Sequence, residues 1–328
     1  MNSTSQAGAH DDGVMLPLRV QAKTRVAQDV FLFELVHRDT APLPPFRAGA
    51  HVTVLTPNGL TRRYSLCNDP SETHRYCVAI KREAQGLGGS ASMIDQVQVG
   101  DELPTSLPLN YFPLQESASF HLLIAGGIGV TPILSMVREL KSRGGDFQLI
   151  YLTRDAECTS FMDELRAGDT GSRVLLHHDH GDLARSLDLA PWLTQRREGA
   201  HLYCCGPRGL MHSVREQTRH WPGGTVHFED FGGSDPQPAA GEDRPFIVKL
   251  ARSGASVTVP AGVSILEALR RENMPVPSSC ESGTCGTCRT GLLAGVAEHR
   301  DYVLDEDEQH EIMICVSRAV SPVLELDL

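Results

Sequence analysis

Apolar runs broken at glycine and proline organise this chain before any chemistry is considered. Toward the C-terminus, 246–250 and 256–259 are short β-rich runs on either side of Ser253-Gly254, a pattern that predicts a hairpin. Ser264 followed by Glu267 predicts a capping box that opens a helix through about Asn273, with Pro275 and Pro277 stopping it. Runs at 311–316 and 323–326 predict two late strands. In the middle third, strand-like runs at 120–125, 148–153, 173–178 and 201–205 alternate with helical stretches, as a parallel sheet requires. Residues 16–112 are strand-rich, with turns at Pro57-Asn58-Gly59 and at 86–89, and predict a small antiparallel β-barrel.

Length and charge narrow the function classes. A chain of 328 residues exceeds one ordinary core and predicts about two to three domains. No apolar run approaches the roughly 20 residues that span a bilayer, so no membrane segment is expected. Residues 1–13 are polar, with neither a basic start nor an apolar centre; they predict a mobile tail, not a signal peptide, and a cytoplasmic protein. The formal net charge of −11 argues against nucleic acid, because a phosphate backbone needs a basic face. Of nine cysteines, Cys67, Cys77, Cys158, Cys204 and Cys205 lie outside the tight C-terminal group; an odd remainder without a secretion signal points to reduced thiols.

The other four carry the strongest chemistry. Cys280, Cys285 and Cys288 give C-x4-C-x2-C, and Cys315 follows at a distance, which is the spacing of a plant-type [2Fe–2S] loop. Structural zinc usually takes two C-x2-C pairs, whereas here there is one pair and two single cysteines. Gly126-Gly127-Ile128-Gly129-Val130-Thr131-Pro132 follows the 120–125 run. Its glycines let a pyrophosphate approach the backbone at a helix start, with Thr131 as the expected N-cap and Pro132 in the first turn. It departs from G-x-G-x-x-G, since Pro132 holds the last glycine position. Ligands of parallel sheets sit beyond strand C-termini, where Thr153-Arg154-Asp155 and Cys204-Cys205-Gly206-Pro207 fall. His177-His178-Asp179-His180 matches no familiar metal spacing and reads as a strand end and turn. In the N-terminal third, Arg62-Arg63-Tyr64-Ser65 sets a cation, an aromatic ring and a hydroxyl along one strand. Gly86-Leu87-Gly88-Gly89-Ser90 opens a helix as phosphate cradles do; ordinary strand and turn remain the alternative for both.

The stretches Arg63-Tyr64-Ser65-Leu66-Cys67-Asn68-Asp69, 125–132, Tyr151-Leu152-Thr153-Arg154-Asp155, 177–182, 203–207, His220-Trp221-Pro222, Val226-His227-Phe228-Glu229 and 277–286 occur in one order over nearly the whole chain. Together they resemble the ferredoxin-reductase superfamily, in the branch of the phthalate dioxygenase reductase family. The resemblance implies a multidomain fold: a tail (1–14), an antiparallel β-barrel flavin domain (15–115), an α/β parallel-sheet NAD domain (116–232), a linker (233–244) and an α+β β-grasp ferredoxin domain (245–328). It implies FMN held by Arg62, Arg63, Tyr64 and Ser65, lined by Ala79, Ile80 and Lys81, with its phosphate on Gly88, Gly89 and Ser90. Leu87 stands where relatives carry Arg, so one phosphate contact is expected to be missing. Gly126, Gly127, Thr131 and Pro132, with Thr153, Arg154 and Asp155, would take NADH; Cys205, Gly206 and Pro207 would lie by the nicotinamide, and Phe231 would cover the flavin ring. Asp155 beside Arg154 disfavours the extra phosphate of NADPH. Catalysis is expected to rest on Cys205, Phe231 and Ser65 shaping the approach, without a dominant acid or base.

The implied chemistry is NADH to FMN, FMN to cluster, and cluster to a partner oxygenase, because only a flavin converts a two-electron donor into single electrons. Plant-type clusters lie near about −400 mV and Rieske centres at about −150 mV or above, so delivery to a Rieske oxygenase runs downhill by roughly four decades. A soluble ferredoxin, a non-Rieske hydroxylase, or a redox-sensing role without turnover are the alternatives. The acidic stretch at Asp301, Asp305, Glu306, Asp307 and Glu308 reads as a solvated loop, with steering of a basic partner as the second reading.

Overall fold

Three sheets follow one another along the chain, and where they meet is what positions the site. A computed structural model describes residues 14–84, 86–231, 243–305 and 307–328. Most of the expected tail and linker therefore lies outside the described residues. Asp243 and Arg244, placed in the linker by sequence, are tied to the C-terminal part: Arg300 and Arg318 both pair with Asp243, and Arg318 donates to the Arg244 carbonyl.

The first sheet holds β1 (Met15–Ala27), β2 (Val30–His37), β3 (Ala50–Leu55), β4 (Thr61–Ser65), β5 (Tyr76–Lys81), β6 (Glu102–Ser106) and β7 (Leu109–Asn110). All pairings are antiparallel, in the order β4-β3-β6-β1-β2-β5, with β7 against β3. Leu66, just past β4, bridges Val78 of β5, so the two edges meet and the sheet curls on itself. Its inward residues Leu18, Phe33, Leu35, Val52, Val54, Tyr76, Val78 and Ile80 pack with Met93 and Ile94 of helix α1 (Gly89–Gln96).

The second sheet is parallel: β8 (Phe120–Gly126), β9 (Phe147–Thr153), β10 (Val174–His178), β11 (Ala200–Cys205) and β12 (Val226–Glu229), in the order β10-β9-β8-β11-β12. The connections hold the α-helices α2 (Val130–Ser142), α3 (Met162–Arg166), α4 (Ala190–Leu193) and α5 (Arg208–Gln217). The order reverses between β8 and β11, and the crevice at that switch point is where such sheets bind ligands. Thr131 is not the N-cap. A 3-10 turn at Gly127–Gly129 starts the coil early, Gly129 becomes the cap, and the Thr131 hydroxyl, buried, donates to the Ile128 carbonyl.

The third sheet, β13 (Phe246–Leu250), β14 (Ser256–Val259), β15 (Arg289–Ala294), β17 (Glu311–Met313) and β19 (Val323–Leu326), runs β14-β13-β19-β15-β17 around helix α6 (Ile265–Arg271); β16 (Ala297–Glu298) pairs with β18 (Arg318–Ala319) beside it. Ser264 caps α6 by accepting from Glu267 N. The Glu267 carboxylate turns to Arg271 instead of back to Ser264, so half of the capping box forms. The strand expected at 311–316 ends at Met313, because the chain turns there to bring Cys315 to Cys288.

Candidate functional site

At the N-terminus of α1, Gly88 is the cap with φ +84, no side chain closes the helix end, and the first turn holds no carboxylate. Arg62 lies across it: a Cβ on Gly89 would sit 2.8 Å from the Arg62 Nε. An open helix end under a guanidinium suits a phosphate. Leu87 is 79% exposed beside it and offers no charge. The Ser90 hydroxyl accepts from Glu83 N, so it faces back along the loop. Ile80 belongs to the barrel core and has only its backbone to offer a ligand; Ala79 is buried on the other face, and Lys81 is exposed at the strand end.

Further along β4, the Tyr64 hydroxyl is buried and has no partner among the described residues. Burial pushes its pKa up to about 12, so it stays a donor. An orphaned donor on the strand that also holds Arg62 fits a bound flavin, since buried hydroxyls are otherwise partnered. Its cross-strand neighbourhood includes His51, whose Nε2 is likewise buried without a partner. Burial, then the Arg63 cation, hold that imidazole neutral with a pKa of about 4.

Where β8 and β11 end, the two backbones touch. A Cβ on Gly206 would meet Gly126 Cα at 2.9 Å, and one on Gly129 would meet the Cys205 carbonyl carbon at 2.5 Å. Gly126, Gly129 and Gly206 are therefore glycines of packing. Gly127 alone, with φ +54 and nothing near its Cβ position, opens to space where a pyrophosphate fits. Thr131 and Pro132 are buried within α2. Thr153 is buried and bonds Thr159 and His178, Arg154 is exposed, and Asp155 accepts from Cys158 N. His177 bonds the Arg185 carbonyl, so these histidines serve the strand end.

Cys205 closes β11 opposite Glu229 of β12 and is buried, which raises its thiol pKa well above the usual value. Glu229 reaches back to the barrel, 3.4 Å from the Ser65 hydroxyl. Burial, opposed by that hydrogen bond, lifts its pKa to about 8. Asp230 pairs with Arg208 of α5 at 3.0 Å, and Phe231 follows, 46% exposed.

The cysteine loop lies between α6 and β15. Cys288 and Cys315 sulfurs lie 3.0 Å apart; Cys280 N points at the Cys285 sulfur and Ser282 N at the Cys280 sulfur, each at 3.4 Å. Gly283 and Gly286 have φ +76 and +77, and a Cβ on Gly283 would sit 2.7 Å from Val316. Two thiol pairs with N–H groups aimed at sulfur suit two irons. The loop is bonded to both other parts: Arg63 donates to the Ser279 carbonyl, and Ser282 donates to the Asp230 carbonyl at 3.2 Å.

Sequence reasoning gave no role to Glu229, Asp230, His51 or Arg208; Glu229 stands 164 positions from Ser65, and no local spacing signals such a pair. The acidic stretch also proves heterogeneous. Asp301 is fully buried and caps Val303 N and Leu304 N, while Glu308 pairs with Arg289.

The model of the 2Fe-2S iron-sulfur cluster binding domain matches residues 248–320, and that of the dimethylamine monooxygenase subunit DmmA-like N-terminal domain matches 105–221. Phthalate dioxygenase reductase of Burkholderia cepacia is 52% identical over 97% of this chain and 98% of its own length. The phthalate 4,5-dioxygenase oxygenase reductase subunit of Pseudomonas putida is 52% identical over 100% of both. A solved phthalate dioxygenase reductase, described as a modular structure for electron transfer from pyridine nucleotides to [2Fe–2S], superimposes with a TM-score of 0.70 at 52% identity, covering 97% of this chain and 99% of that one.

Proposed function

The chain belongs to the phthalate dioxygenase reductase family of oxidoreductases, electron-transfer components of oxygenase systems, and on that premise we propose that it carries electrons from NADH to a Rieske-type aromatic-ring oxygenase or O-demethylase. Residues 15–115 are read as the flavin domain, 116–232 as the NAD domain and 245–328 as the ferredoxin domain, with 233–244 linking the last two. The observation that carries the reading is the pair of hydrogen bonds from the cysteine loop, one to β4 at Arg63 and one to Asp230 beside Phe231. They hold the thiols where the candidate flavin strand and the parallel sheet meet.

FMN, when bound, would supply the conversion between a two-electron hydride donor and single electrons, and a [2Fe–2S] centre would supply a one-electron carrier. The protein's part is orientation. Arg62 and the open end of α1 would hold the phosphate, with Gly88 and Gly89 keeping the approach clear. Tyr64 would donate its unpartnered hydroxyl to the flavin. Gly127 would face the pyrophosphate of NADH, Cys205, Gly206 and Pro207 would lie by its nicotinamide, and buried Cys205 would keep water from the reacting face. Phe231, half exposed at the mouth, would cover the ring until the nicotinamide takes its place. Glu229, raised to about 8, would hold a proton against Ser65 near neutral pH. Cys280, Cys285, Cys288 and Cys315 would ligate the irons. Asp155 next to Arg154 favours NADH over NADPH.

No helix among the described residues is long and apolar enough to cross a membrane. Cys67, Cys77, Cys158, Cys204 and Cys205, outside the cluster loop, are unpaired, and a reducing cytoplasm is the proposed location.

The test is anaerobic purification followed by iron, acid-labile sulfide and flavin analysis, NADH titration, and turnover with a candidate Rieske oxygenase. Equimolar iron and sulfide, released FMN and NADH-driven oxygenase turnover are expected. Bound flavin without labile sulfide would overturn the reading, as would equal or faster rates with NADPH for the nucleotide assignment.

A further inference from the structure

Among the contacts between the ferredoxin part and the parallel-sheet part is one aromatic side chain, Tyr302. The ring of Tyr302 lies 5.0 Å from the Phe228 ring of β12, tilted 42°, and the Arg215 guanidinium of α5 lies 5.6 Å from its centroid. Arg215 also donates to the Leu304 carbonyl at 3.2 Å. Behind the ring the backbone is fixed: Tyr302 N donates to the Gly283 carbonyl inside the cysteine loop at 2.8 Å, and buried Asp301 holds the following turn through Val303 N, Leu304 N and the Ser317 hydroxyl. One residue is therefore bonded through its main chain to the thiol loop and through its ring to the strand that ends in Glu229. Two positions beyond Phe228, Asp230 accepts from Ser282 of the same loop.

A cleft of about 880 Å³, lined in part by Arg208, His212, Trp221, Tyr302 and Asp305, opens beside the ring contact. Interfaces between domains of one chain that are neither large nor apolar permit relative motion, so individual contacts set the docked population.

We propose that Tyr302 is a positioning residue that docks the ferredoxin part on the NAD-binding sheet and so sets the cysteine loop against β4 and Asp230. This rests on the functional reading above, because the distance it controls matters only if electrons leave the flavin through that loop. An aromatic pair and a cation–π contact together shift a docking equilibrium by roughly tenfold.

The experiment uses full-length protein, with flavin, iron and sulfide measured on each sample, and compares Tyr302→Ala, Tyr302→Phe and Arg215→Met. Arg215→Met lies outside the ferredoxin part and keeps the test alive should Tyr302→Ala fail to take up a cluster. Two readouts are followed: hydrogen exchange of segments 226–230 and 280–288 with small-angle scattering, and separate bleaching of flavin and cluster absorption after mixing with NADH. Tyr302→Ala should leave flavin bleaching at the wild-type rate, slow cluster bleaching about tenfold, raise exchange in both segments and enlarge the scattering dimension. Tyr302→Phe should restore the three altered readouts, since the ring makes the contact, and Arg215→Met should move them in the direction of Ala by a smaller factor. Wild-type exchange and cluster bleaching in both Tyr302→Ala and Arg215→Met would overturn the proposal, as would Tyr302→Phe behaving like Ala. A wild-type sample without labile sulfide would instead sink the functional reading, while exchange and scattering would still judge the docking role.

Discussion

A methyl group at position 129 separates packing from ligand binding in the glycine-rich turn. Gly129 has ordinary helical backbone angles (φ −61, ψ −5), so alanine would carry no conformational strain there. Its Cβ would nevertheless press on the Cys205 carbonyl oxygen and lie 2.5 Å from the carbonyl carbon and 2.8 Å from Gly206 N. All three neighbours are main chain, so no rotamer can yield, and the ends of β8 and β11 must part by about an ångström to reach van der Waals contact. Overpacking against immovable atoms costs about 3 kcal/mol, and the switch-point crevice that would seat NADH opens with it. Gly127→Ala is the control: nothing lies near its Cβ, and only φ +54 penalises it, by about 1 to 2 kcal/mol. Thermal or urea unfolding followed by hydrogen exchange in 120–126 and 200–205 would read the stability. Gly129→Ala should lose about 6 to 12 °C in the midpoint of that part, with a raised KM for NADH. If Gly129→Ala matches wild type within about 0.5 kcal/mol, or is milder than Gly127→Ala, the reasoning from backbone contact fails.

Arg62→Met should weaken flavin retention by about tenfold to a hundredfold, the worth of a charge-assisted hydrogen bond to phosphate, measured by equilibrium dialysis of the flavin. Leu87→Arg should tighten retention by about twofold to fivefold, because the added cation stands at the same open helix end. Cys315→Ser should abolish labile sulfide and cluster absorption while flavin reduction by NADH persists. His227 is stacked on Tyr203 at 4.6 Å and bonded to His201 at 3.0 Å, both on the adjacent strand β11, with His121 one strand further on β8; burial, then the His201 and His121 imidazoles, lower its pKa to about 4. Folded His227 stays neutral where the unfolded chain binds a proton near 6.5, so stability is full above pH 6.5 and falls toward pH 4. The loss between pH 7 and pH 5 is about 2 kcal/mol, and urea unfolding of His227→Gln should show a correspondingly flatter profile.

Local rules carried the fold a long way. The runs at 246–250, 256–259 and 323–326 became strands with those bounds, because period-two burial and the Gly254 turn are properties of a few adjacent residues. The runs of the middle third became the parallel strands with shifts of at most a residue at their ends. The misses have different causes. Thr131 lost the cap because the neighbouring turn Gly127–Gly129 coiled first, and residues 314–316 left the strand because Cys315 had to meet Cys288. In the second place a contact between separated segments overrode local preference.

The same division runs through the site. Three cysteines within nine positions announce themselves, because a cluster loop must close over a short span. Ser65 and Glu229 do not, because what makes that carboxyl hold its proton near neutral pH is the burial produced when barrel and parallel sheet meet. Arg63 and Ser279 stand 216 positions apart, yet their hydrogen bond is what sets the thiol loop on the candidate flavin strand. Single-electron transfer asks little of any one side chain and much of the separation between centres. The residues that govern it are therefore the ones at the joints, and a joint is written in the mutual fit of three sheets, each of which the sequence describes separately.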